Sequence, residues 1–169
     1  MMSETSLNKE QLLKEVEHYV QREKFKQQLQ LTGEPEASFL AQGEYNLNFL
    51  IEADNKKVVL RLNTGSQMDL DNQIKYEYNA LEYLEESGVT PKPLLLDDRE
   101  EKLPLGMLVM NYLPGRSMHY REDLLEAARV LAKVHDVEVP EDHQLITEAK
   151  PLSGIWKECA ELVPTYLNS

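Results

Sequence analysis

Two groups of residues in this sequence have the types and spacing to meet a phosphate, and a third has those to hold the second in place. The first is Gln42-Gly43-Glu44-Tyr45-Asn46, a turn-prone segment between two strand-like runs. A glycine there carries no Cβ and lets the backbone come close to a ligand. The second is Arg61, the cation within the apolar run Val58-Val59-Leu60-Arg61-Leu62. Its guanidinium is always charged, and its fork matches phosphate oxygens. The third is Glu77, which falls three residues after Ile74 and four before Leu81. On a helix that spacing sets an acid on or beside the apolar stripe, where it wants a cation, and Arg61 is the candidate. The same residues also fit a plain hairpin and a rim carboxylate, and at this level both readings stay open.

The elements that must carry these groups can be read from periodicity. Ser38–Ala41 and Leu47–Ala53 read as strands, the second alternating Leu47, Phe49 and Ile51 against Asn48 and Glu52. Asp54-Asn55-Lys56 supplies a hairpin turn into a third strand, Lys57–Asn63. A long helix is expected over Asp69–Ser87, closed by Gly88, with the stripe Leu70, Ile74, Tyr78, Leu81 and Leu84. Val89-Thr90-Pro91-Lys92-Pro93 then forces an extended crossing into a short strand, Leu94–Leu96. After the charged turn Asp97–Lys102, Leu105–Tyr112 reads as a strand buried on both faces. Leu113-Pro114-Gly115 ends it abruptly and leaves backbone groups that could bond the edge of a flat ring, with Met110 and Tyr112 as neighbours.

Helices flank this block. Leu7–Gln30 reads as one helix, capped by Asn8, with Leu12, Leu13, Val16, Tyr19 and Val20 as its stripe. Thr32-Gly33-Glu34-Pro35 stops it. Asp123–His135 and Pro151–Leu167 are the later helices, and Cys159 falls in an apolar stripe that predicts a core position. His18 and His135 read as structural.

Composition excludes several classes of function. The chain has 169 residues, 41% hydrophobic and 28% charged, enough to build a core of normal size. A net charge of −12 repels phosphate backbones and speaks against nucleic-acid and anionic-membrane partners. One cysteine allows no internal disulfide and fits a reducing compartment, and the first residues lack the apolar run of a signal peptide. No run is long and apolar enough to span a membrane, so a cytoplasmic location is expected.

In their order, these pieces resemble the aminoglycoside phosphotransferase and choline kinase-like family, which has a protein-kinase-like fold. The resemblance runs over about residues 36–136. It rests on Gly43-Glu44-Tyr45-Asn46-Leu47-Asn48-Phe49, Val58-Val59-Leu60-Arg61-Leu62, and Glu77 through Leu84. It continues through Val89-Thr90-Pro91-Lys92-Pro93, Leu108 through Gly115, and Leu131-Ala132-Lys133-Val134-His135. The resemblance implies an α+β small lobe with a five-stranded antiparallel sheet and one long helix over residues 36–115. A helical segment over 1–35 would precede it, and the start of an incomplete helical large lobe over 116–169 would follow. It also implies ATP or GTP with Mg²⁺ as cofactors and a small-molecule hydroxyl as acceptor. Gly43, Glu44, Tyr45 and Asn46 would cover the nucleotide, Arg61 would meet its phosphates, and Glu77 would pair with Arg61. Met110 would wall the adenine pocket, with Asn111 and Leu113 offering backbone groups to the ring.

One part of the family pattern is missing. The catalytic loop of these enzymes has the form His-x-Asp-x-x-x-x-Asn. After His18, His119, His135 and His143 the residue two places on is Val20, Arg121, Val137 and Leu145. The chain is therefore expected to be the amino-terminal part of such an enzyme, inactive by itself and only a weak nucleotide binder. An exposed face where a large lobe would dock could then pair with a second copy. The alternative is a non-catalytic nucleotide-sensing or interaction module that keeps the small lobe.

Overall fold

The computed structural model describes residues 9–65, 70–98, 106–147 and 149–167. Asn8, Asp69, Leu105 and the charged turn at Arg99–Lys102 lie outside the described residues.

Five strands form one antiparallel sheet: β1 (Glu36–Gln42), β2 (Asn46–Ala53), β3 (Lys56–Asn63), β4 (Pro93–Asp97) and β5 (Met107–Asn111). Their spatial order is β1-β2-β3-β5-β4. The expected α+β class and five-stranded antiparallel sheet are both present. Asp54 and Asn55 make the turn between Ala53 and Lys56, which face each other across β2 and β3. Asn55 ties that turn down: its Oδ1 accepts from the Thr32 amide, and its Nδ2 donates to the Gln30 carbonyl. Two register shifts occur, one between Phe39 and Ala41 in β1 and one between Pro93 and Leu95 in β4.

Strand alternation divides the sheet's side chains between two apolar clusters. Leu47, Phe49, Ile51, Val58, Leu60, Leu62, Met107 and Val109 belong to one, which also holds the N-terminal helices α1 (Lys9–Val20) and α2 (Glu23–Leu29). Val59, Leu108 and Met110 belong to the other, against α3 (Gln73–Leu84) through Ile74, Tyr78 and Leu81. Asn72 caps α3 by accepting from the Lys75 amide, and a 3₁₀ turn, Glu85–Ser87, ends it at Gly88 in the left-handed region. Leu70, expected as part of the helical stripe, therefore lies before the helix.

The single helix expected over Leu7–Gln30 is two helices, with Arg22 extended between them at φ −67° and ψ 134°. The reason lies in the apolar spacing. Val20 and Phe25 are five residues apart, and one continuous helix would turn Phe25 away from the face that holds Val16 and Val20. The break brings Phe25 and Leu29 into the same cluster as Leu12, Val16, Tyr19 and Val20. Gln21 Nε2 donates to the Pro35 carbonyl at 2.7 Å across the break.

Tyr19 anchors α1 to the far edge of the sheet by donating its hydroxyl to Asp97 Oδ2 at 2.8 Å. Burial first, and the Asp97 carboxylate second, hold the Tyr19 hydroxyl well above its ordinary value near 10. A raised folded-state value means that the contribution is fully present below that ordinary value and is lost as pH rises through and beyond it. Tyr19→Phe is expected to cost about 1 kcal/mol at neutral pH, from the lost hydrogen bond. Chemical denaturation followed across pH should show that gap narrowing above pH 10, because only the wild type loses this contribution. A gap independent of pH would show that the hydroxyl is not coupled to folding.

Beyond β5 lie α4 (Leu124–His135) and α5 (Pro151–Leu167), which contribute no buried residue among those described. Leu124, Leu125, Leu131, Leu152, Ile155, Trp156, Leu162 and Val163 are all exposed. Cys159, expected in a core, is exposed as well. Periodicity identified the apolar stripe of α5 correctly, but a stripe is buried only where another element covers it.

Candidate functional site

Arg61 and Glu77 meet on the α3 side of the sheet, with Nη1 donating to Oε2 at 2.9 Å. Their side chains are 27% and 18% exposed, so the pair is sheltered but reachable. Each partner is held by a further residue. Asn48 faces Arg61 across β2 and β3, and its Oδ1 accepts from Arg61 Nε at 3.0 Å. Gln73, one turn earlier on α3, donates from Nε2 to Glu77 Oε1 at 3.0 Å. Arg61 Nη2 makes no hydrogen bond among the described residues and is not a buried orphan. That nitrogen is a charged donor available to an anion.

The turn before β2 lies two residue pairs from Arg61 along the hairpin. It is closed by the Gly43 amide donating to the Asn46 carbonyl at 2.9 Å. The Thr64 amide donates to the Tyr45 carbonyl at 2.8 Å and ties the turn to the end of β3. A Cβ at Gly43 would lie 3.0 Å from Asn46 Oδ1, close enough that the asparagine side chain would have to give by a few tenths of an ångström. Asn46 Oδ1 in turn accepts from Asn48 Nδ2 at 3.1 Å. The Glu44 carboxylate beside it raises the Tyr45 hydroxyl from its ordinary value.

Next to Arg61 is an apolar row. Leu50, Val59 and Met110 stand opposite one another on β2, β3 and β5, and Val59 is on the same face of its strand as Arg61. Val59 and Met110 are both 6% exposed. At the end of β5, the Asn111 amide donates to the Lys92 carbonyl at 3.0 Å, and its Oδ1 accepts from the Lys92 amide at 2.5 Å. The backbone amide and Oδ1 of Asn111 are thereby both engaged with Lys92. Leu113, two residues on, is 47% exposed.

The structure thus brings Arg61 and Glu77 together, sets Gly43–Asn46 at the end of the same hairpin, and puts Met110, Asn111 and Leu113 at the far end of the face. Sequence reasoning did not single out Asn48, Gln73, Leu50 or Val59. Counting back from the two-residue turn at Asp54-Asn55 would have set Asn48 against Arg61 and Leu50 against Val59. The helical i, i+4 rule would have set Gln73 beside Glu77. Among the described residues no three His, Cys, Asp or Glu side chains are grouped to hold a metal ion.

The model for the phosphotransferase enzyme family matches residues 36–169. This chain belongs to that family. The match begins with β1 and runs through α5, so the phosphotransferase-family region contains the whole sheet and excludes α1 and α2. A candidate aminoglycoside phosphotransferase of Ralstonia eutropha JMP134, known from its crystal structure, is similar over 63% of this chain and 29% of that chain. The identity is 18% and the TM-score 0.46. The shared part is thus less than a third of that neighbour's length. No curated protein matches the phosphotransferase-family chain. Among the described residues, no helix is long and apolar enough to cross a membrane.

Proposed function

We propose that this chain is the nucleotide-binding part of an ATP- or GTP-dependent phosphotransferase that moves a γ-phosphoryl group to the hydroxyl of a small molecule. The carrying observation is the Arg61–Glu77 pair at 2.9 Å, with Arg61 Nη2 uncommitted. In this reading Arg61 meets the nucleotide phosphates, and the Gly43-Glu44-Tyr45-Asn46 turn covers them. The base rests on Leu50, Val59 and Met110, with its edge at the Asn111 carbonyl and the Leu113 amide. Residues 36–115 are the nucleotide-binding half, 1–35 an N-terminal helical segment, and 116–169 the beginning of a helical lobe. Mg²⁺ would travel with the nucleotide. For these 169 residues alone we propose weak binding without turnover, because no His-x-Asp occurs in them.

The test is an NMR titration of the ¹⁵N-labelled chain with ATP and with GTP. Millimolar affinity is expected, on the order of 4 kcal/mol. The moving resonances should be those of Val59, Arg61, Met110, Asn111 and Leu113, while those of α1 and α2 stay still. A titration with either nucleotide that moves only resonances on the α1–α2 side, or none at all, would overturn the proposal.

A further inference from the structure

Arg61 is held from two sides, and only one of its partners is the acid already discussed. A continuous hydrogen-bond chain runs from the turn to the helix. Asn46 Oδ1 accepts from Asn48 Nδ2 at 3.1 Å. Asn48 Oδ1 accepts from Arg61 Nε at 3.0 Å. Arg61 Nη1 donates to Glu77 Oε2 at 2.9 Å, and Glu77 Oε1 accepts from Gln73 Nε2 at 3.0 Å. Asn48 sits at the middle of this chain. It is 8% exposed, the one buried polar residue of the sheet among those described, and its amide also approaches the Ala41 carbonyl at 3.5 Å. A buried amide kept on an otherwise apolar strand is costly unless its bonds are made.

The geometry points to Asn48 as the positioning residue that aims Arg61. A guanidinium held only by Glu77 through one nitrogen can swing about that contact. A second bond at Nε fixes the plane of the fork and leaves Nη2 as the donor that meets a phosphate oxygen. The donors of Asn48 are turned to Asn46 and Ala41, which fixes the amide so that its carbonyl oxygen faces Arg61. The turn and the cation are thereby set by one side chain. This inference rests on the reading of Arg61 as the phosphate contact.

The experiment compares ATP with adenosine, which lacks the phosphates, on the full chain by NMR titration. Asn48→Leu keeps the volume and removes the acceptor. It is expected to weaken ATP about tenfold, the size of one lost charge-assisted bond, and to leave adenosine unchanged. In an Arg61→Lys background, where no Nε fork exists, Asn48→Leu should cause no further loss. The Arg61 Nε–H resonance should also move in the Asn48→Leu protein before any ligand is added. Should the leucine variant fold poorly, Asn48→Ala carries the same expectation. Equal weakening of ATP and adenosine, or an equal effect in both backgrounds, would mean that Asn48 is merely structural. ATP binding that is unaffected by Asn48→Leu but lost in Arg61→Ala would sink this inference alone. ATP binding that ignores Arg61 altogether would sink the phosphate reading with it.

Discussion

Arg61→Ala is expected to abolish the ATP-induced resonance shifts at millimolar ATP, while leaving a folded and somewhat less stable protein. The guanidinium faces Glu77, and its Nη2 makes no hydrogen bond among the described residues. Removing it takes away both the proposed phosphate contact and the charge that balances Glu77. Gln73 Nε2 still donates to Glu77, so the carboxylate is not wholly abandoned. The stability cost should therefore be modest, about 1–2 kcal/mol, the penalty for a sheltered polar group that loses one partner. The two effects can be separated with a second variant. Arg61→Met with Glu77→Leu removes both charges and should recover most of the lost stability, because apolar replacement of a sheltered ion pair is often neutral. It should recover no ATP response. Urea denaturation measures the first quantity and the NMR titration the second. An ATP response that survives in Arg61→Ala would remove the cation from the site.

Phe49→Ala is expected to have the largest effect on folding. Phe49 is 0% exposed and lies in the cluster that joins β2 and β3 to α1 and α2. Its ring meets that of Phe39 edge to face at 6.2 Å. Truncating a buried phenylalanine costs about 3–5 kcal/mol through lost transfer energy and the cavity left behind. Since a domain of this kind holds about 5–15 kcal/mol in total, such a loss should leave a large unfolded population well below the wild-type melting temperature. The control is Leu152→Ala on α5, where the side chain is 84% exposed. That change should shift stability by less than about 0.5 kcal/mol. If the two variants ranked in the opposite order, the core would have been assigned to the wrong half of the molecule.

These two variants also mark how far the sequence could be read. The β2–β3 hairpin was legible from period-two alternation and the turn signal at Asp54-Asn55, but Lys56, expected in the turn, is the first residue of β3, so the turn is two residues long and the register follows from that. The Arg61–Glu77 meeting was legible because Arg61 interrupts the apolar run Val58–Leu62 and Glu77 falls beside the helical stripe of Ile74 and Leu81. Three features were not. The break at Gln21-Arg22 depends on where Phe25 and Leu29 must go, which is a property of the sheet and not of the helix. The exposure of α4 and α5 was hidden because an apolar stripe signals the need for a partner without naming one. Asn48 was passed over as an outward polar residue, although its face of the strand is the one that carries Arg61. Polarity on a strand normally means water, and here it means a neighbouring side chain.

Both outer strands of the sheet are irregular. β1 is interrupted after Phe39, and β4 after Pro93, whose nitrogen carries no hydrogen. A straight rim would offer a ladder of unpaired amides on which another chain could template, growing ribbon upon ribbon toward fibrils. Kinked rims interrupt that ladder and disfavour edge-to-edge addition of a further strand, in two places where a residue is out of step.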